Sequence, residues 1–151
     1  MKNRLLHAFL FCLLLTAREP ALADIAVIVN PHNPVSALTQ DDLQKIFLGR
    51  MPLFPQTDRE IHAIDLPDSS TTFAAFYRRV VKLDGTRLKR YRAYYLFSGR
   101  GRLPEEAQNQ ADVIDRVSKD ETAIGYVDCR KVTDVVRVLT VLPDRDEPAD
   151  P

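Results

Sequence analysis

The chain has no tryptophan, three histidines, two cysteines and five glycines, and its 21 bases are matched by 21 acids. Each shortage removes a class of function. Balanced charge lacks the global excess that a polyanion binder carries. Beyond the N-terminal segment only His32 and His62 remain, without a cysteine pair or a His-x-x-x-His spacing, so no metal-ligand pattern exists, and both read as surface or loop side chains. The sparse glycines form neither a Walker loop nor a dinucleotide fingerprint; "SGRG" at 98–101 reads as a helix stop and turn. No G-x-S-x-G elbow is present, so Ser69, His62 and Asp65 do not make a recognisable hydrolase triad. The sequence offers no catalytic residue, no metal site and no cofactor motif.

What is present begins at the N-terminus. Lys2 and Arg4 precede an apolar run at 5–15, and "ALA" at 21–23 has the small-x-small pattern of a signal-peptidase site. The run is shorter than the roughly 20 residues of a membrane-spanning helix. Residues 1–23 are therefore expected to be a cleaved signal peptide that delivers the protein to the periplasm. The remainder has 18 bases against 20 acids, and Cys129 as its single thiol, which reads as structural. Residues 24–142 are the right length for one α/β domain. The tail at 143–151, with three prolines and four acids, is expected to be disordered.

Strands and helices alternate along the domain. "IAVIVNP" at 25–31 is a β-branched apolar run, expected to be a strand buried on both faces. Thr39 starts a helix that Gly49 stops, with Leu43, Ile46 and Phe47 on one face. Strands are expected at 60–66, 122–128 and 135–142. Phe73, Phe76, Tyr77, Val80 and Val81 trace an apolar stripe at helical spacing. Further helices are expected from Thr86 and over 104–120. The alternation favours a layered α/β fold.

Two stretches carry chemistry. "DSSTT" at 68–72 places hydroxyls directly before a helix, where unpaired N–H groups and the helix dipole favour an anion. Ser69, Ser70 and Thr71 are the candidate oxyanion ligands; helix capping by one of the serines is the alternative. From Arg78 to Arg102 nine bases face only Asp84, with tyrosines interleaved. A solvated helix surface or a rim attracting anions or a partner protein fits this run; a secretory signal argues against nucleic acid.

"DDLQKIFLGR", "DSSTTFAAFYRRV", "FSGRG" and "AIGYVD" occur in the order and approximate spacing found in phosphate ABC transporter substrate-binding proteins, and the chain resembles a short member of that family from Ile25 to about Leu142. The resemblance implies a single lobe of a type 2 periplasmic-binding protein, a mixed sheet flanked by helices. It implies non-enzymatic binding of inorganic phosphate or a related oxyanion at Ser69, Ser70 and Thr71. An ABC transporter permease or another periplasmic protein is the implied partner. A lone lobe cannot close over a ligand, so capture by a homodimer is a further expectation. The sequence departs from the family loop at four positions, one of them Ser70, which takes the place of the second glycine. Asp65 stands where the phosphate-pairing arginine is expected, Pro67 where the aspartate lies and Asp68 where the first glycine lies. Arg78, Arg100 and Arg102 are the candidate replacement cations. An aspartate at 65 would repel a dianion, so the alternative function is a periplasmic interaction or sensor module that has lost anion affinity.

Overall fold

The computed structural model describes residues 23–99 and 102–144. The expected signal peptide, Arg100, and the tail from residue 145 lie outside them. Five strands form one mixed sheet in the order β3-β2-β4-β1-β5. β1 (Ile25–Val29) pairs antiparallel with β4 (Ala123–Asp128) and with β5 (Arg137–Leu142). β2 (His62–Asp65) pairs parallel with β4 and with β3 (Glu105–Glu106). All of β1 and β4 is buried, as a continuous apolar run at a sheet centre requires. The sheet edges are the short, exposed β3 and the half-exposed β5.

Each helix start has a chemical cause. Thr39 and Asp42 form a reciprocal capping box for α1 (Gln40–Phe47), with the Asp42 N–H donating to Thr39 Oγ1 at 3.1 Å. Ser70 caps α2 (Thr71–Phe76), Asp84 caps α3 (Gly85–Ser98) and Asn109 caps α4 (Gln110–Lys119). α2 runs into a π-helical turn, Tyr77–Val81, which ends at Lys82 in the left-handed region at φ 57°. The apolar stripe read at 73–81 therefore spans two kinds of helix. Its Phe76 ring stacks on Tyr126 at 3.8 Å between centroids, with Phe47 edge-on to both.

The region expected to be helical over 104–120 is divided. Residues 105–106 form β3, and the helix begins at Gln110. Pro104 and the paired glutamates start a parallel strand because β2 offers its free edge, which no local pattern encodes. α4 packs tightly on β4. A Cβ on Gly125 would lie 2.6 Å from Val113 Cγ1. The loop after β1 is tied to the end of α4: Asn30 Nδ2 donates to the Val117 and Ser118 carbonyls, and Asn33 Nδ2 to Glu121. Arg79, on the π turn, donates to the Leu142 carbonyl and pairs with Asp144 at 2.5 Å, holding the start of the acidic tail against the sheet. Among the described residues no helix is long and apolar enough to cross a membrane.

Candidate functional site

The chain leaves β2 at Asp65 and turns through Pro67, where the Ser70 N–H donates to the Pro67 carbonyl. That turn sets Ser70 as the cap of α2, its Oγ accepting from the Phe73 N–H at 3.4 Å. Capping uses Ser70 but not its neighbours. Among the described residues the Ser69 and Thr71 hydroxyls have no hydrogen-bond partner, and both residues are exposed. The N–H groups of Thr71 and Thr72 belong to the first turn and have no intrahelical acceptor. The capping reading therefore holds for Ser70, and the Ser69 and Thr71 hydroxyls are left free.

Ser69 and Ser70 line a cavity of about 600 Å³ between this loop and α4. Gln108, Asn109 and Gln110 form the facing wall, so the starts of two helices meet across it. Asn109 Oδ1 accepts from the Asp112 N–H, which leaves the Gln110 and Ala111 N–H groups as first-turn donors. Gln110 links the walls: Nε2 donates to Thr72 Oγ1 at 3.3 Å and Oε1 accepts from the Asp128 N–H at 2.7 Å. Lys131, at the end of the 3-10 turn Cys129–Lys131, contributes the cation of the lining. No acid lines the cavity among the described residues, and Lys131 has no ion-pair partner there.

The expected auxiliary cations lie elsewhere. Arg78 lines a cavity on the opposite side of α2, and Arg102 lines a third near Arg50 and His62. Arg100 is outside the described residues. Lys131 escaped notice because a lone lysine after a strand has no periodic or motif signal; only the 3-10 turn brings it opposite Ser69.

Asp65 does not face the Ser69 cavity. Its carboxylate is buried, 1% exposed, and each oxygen is occupied. Oδ1 accepts from the Leu66 N–H at 3.0 Å and from the Tyr126 hydroxyl. Oδ2 accepts from the Tyr77 hydroxyl at 2.6 Å and from Arg92 at 2.5 Å. Burial, and then the Asp65 charge, push the Tyr77 and Tyr126 phenols well above their usual range, so both stay protonated donors. The Asp65 charge is thus balanced by Arg92 inside the fold. Asp68 is turned away too, lining the Arg78 cavity and pairing with Lys89 at 3.5 Å.

A second titratable cluster sits at the other end of β2. His62 is a half-buried strand residue rather than a loop histidine, with Nδ1 bonded to Asp120 at 2.7 Å. Its Nε2 lies 3.1 Å from Glu105 Oε2 without hydrogen-bond geometry. Burial disfavours the charged ring, but Asp120 and Glu105 outweigh it and raise the His62 pKa above its ordinary value. Arg116 approaches Glu105 at 3.9 Å. Among the described residues no group of three or more His, Cys, Asp and Glu side chains is placed to hold a metal ion.

No family model matches the chain, and no curated protein matches it. Solved structures do. A phosphate ABC transporter substrate-binding protein from Clostridium perfringens, with bound phosphate, is 23% identical over 78% of this chain with a TM-score of 0.62. An ABC-type phosphate transport receptor from Vibrio cholerae is 21% identical over 79% of it, with a TM-score of 0.61. PstS from Borrelia burgdorferi is 19% identical over 71%, with a TM-score of 0.53. The match covers 45%, 47% and 42% of those three chains, so this chain spans less than half of their length. The five-stranded mixed sheet and its helices therefore have the fold of a lobe of the phosphate ABC transporter substrate-binding proteins.

Proposed function

We propose that the protein is a secreted, non-enzymatic binder of phosphate or a related oxyanion, held in the cavity between Ser69 and Lys131. The observation that carries this reading is the meeting of two helix starts and a lysine across one cavity, with no ion pair to that lysine and no acid in the lining among the described residues. Ser69 supplies a free hydroxyl from the lining, and the Thr71 hydroxyl and the Thr71 and Thr72 N–H groups adjoin it at the α2 start, outside the lining, a donor set suited to an oxyanion. Lys131 supplies a point charge in place of a bidentate arginine, so binding is weaker and less geometrically selective than an arginine site gives. Delivery to the periplasm by residues 1–23 and service to an ABC transporter permease belong to the same reading.

Calorimetry of the protein lacking residues 1–23, with phosphate and with sulfate, tests it. Binding that is lost in Ser69→Ala/Thr71→Ala supports the reading; no heat with either anion at millimolar concentration refutes it. A single lobe leaves the cavity open on one side, so capture by a homodimer predicts that phosphate raises the dimer fraction in sedimentation. The alternative, an interaction or sensor module, draws on the end of α3, where Tyr94, Leu96 and Phe97 are exposed, Phe97 by 93%. Pull-down of a permease or periplasmic protein that is lost on Phe97→Ser, with no anion response, favours that alternative.

A further inference from the structure

The structure resolves the basic stretch into two parts: an aromatic tip on α3 and a cavity of about 890 Å³ between the π turn and the start of α3. We propose that this cavity is a second site, for a small polyanion carrying several phosphoryl groups, separate from the Ser69 cavity.

Five cations line it, Arg78 from the π turn, Lys82 at its C-terminal cap, and Arg87, Lys89 and Arg92 from α3. Two acids line it with them, and a third, Asp65, pairs with Arg92 from beneath. Asp84 is engaged locally, capping α3 and lying 3.4 Å from Arg87, while Asp68 lies 3.5 Å from Lys89. Arg78 and Lys82 have neither an ion pair nor a side-chain hydrogen bond among the described residues. With Arg92 balanced by Asp65, the lining keeps an excess of two positive charges, those of Arg78 and Lys82, in a chain whose overall charge is balanced. Such a local concentration is unfavourable to the fold through self-repulsion and is relieved by an anion.

The arrangement suits several charges rather than one. The cations come from two elements, and those of the π turn and its cap are four residues apart in sequence. A cavity of about 890 Å³ has room for more than one phosphoryl group, and a short phosphate chain presents charge along its length to both walls. Phe73 and Tyr77 form an apolar floor, with the Arg92 guanidinium over both rings at 5.6 and 5.1 Å. Arg92 is fixed there by Asp65, and its Nε has no hydrogen-bond partner among the described residues. The left-handed backbone at Lys82 ends the π turn and directs the chain into Asp84, which sets the two walls facing each other.

The test is calorimetry with sodium tripolyphosphate at low salt, comparing three double variants. Arg78→Gln/Lys82→Asn removes the unpaired cations and keeps a residue that tolerates the left-handed region at 82. Lys45→Gln/Lys119→Gln makes the same charge change at remote surface pairs. Ser69→Ala/Thr71→Ala disables the other cavity. The expected result is tripolyphosphate binding that weakens at least tenfold in the first variant and changes less than twofold in the other two. Unaltered thermal melting would show that the first variant is folded. Absence of tripolyphosphate binding overturns the proposal. So does an equal loss in the remote variant, which would mean unspecific attraction, and so does loss in the serine–threonine variant, which would place the polyanion at Ser69. Orthophosphate binding is read separately, so failure here leaves the Ser69 reading intact.

Discussion

The two sides of α2 differ in how they would hold an anion. Toward α4 the donors are hydroxyls, amides and first-turn N–H groups, with Lys131 as the one lining cation among the described residues. Toward α3 the lining carries five cations and few fixed donors. Backbone donors have fixed positions and suit a small oxyanion of defined shape; long charged side chains suit charge in quantity. The Asp65 network floors the second through Tyr77 and Arg92 and begins the loop that leads to the first, linking β2, the π turn, α3 and β4 through Tyr77, Arg92 and Tyr126.

Removing that network should have the largest effect. Asp65→Ala leaves a half-buried arginine and two buried phenols without their acceptor, and should cost about 3 kcal/mol in chemical denaturation, the low end for a broken buried pair because Arg92 reaches solvent. Asp65→Asn, which keeps an acceptor, should cost less. A smaller change separates the two sides. Gly125→Ala drives a methyl into Val113 on α4 and should cost about 1–3 kcal/mol, since the helix must shift. It should weaken phosphate binding while leaving tripolyphosphate binding unaltered, because α4 walls only the first cavity. Ser70→Ala removes the α2 cap and should cost about 1 kcal/mol, readable as a lower melting temperature.

The smallest effect concerns neither cavity. His62 has a raised pKa in the fold, so its charged contacts stabilise fully below its unfolded pKa near 6.5 and are lost as pH rises through the higher folded value. Stability should therefore fall modestly as pH rises above about 6.5, and His62→Gln should flatten that slope. Asp120 contributes in the opposite range. Burial opposes its charge, but bonds from Thr122 and His62 hold its pKa below the usual value, so its share is lost only as pH falls through the acidic range. Anion binding in either cavity should be unchanged in His62→Gln.

Much of the architecture was legible because local and global preferences agree. The β1 run is apolar at every position and lies at the sheet centre; Thr39 caps where it is expected to; Phe73, Phe76 and Tyr77 face inward as their spacing requires. β3 was not legible, since Glu105 and Glu106 are a strand only by pairing with β2. The hydroxyl run could be found from sequence because its capacity is local. Lys131 could not, because its relevance comes from a turn that returns the chain to the cavity. Asp65 was legible as a departure from the family loop, but its consequence was not: the sequence places no partner 27 positions away, whereas the fold brings Arg92 onto it.

The most direct test is amide chemical-shift mapping during a phosphate titration. The Ser69–Lys131 site predicts saturable shifts at the N–H groups of Ser69, Thr71, Thr72, Gln110 and Ala111, with those of Arg78, Lys82 and Lys89 unmoved. Shifts confined to Arg78, Lys82 and Lys89, or none at all at millimolar phosphate, would contradict it.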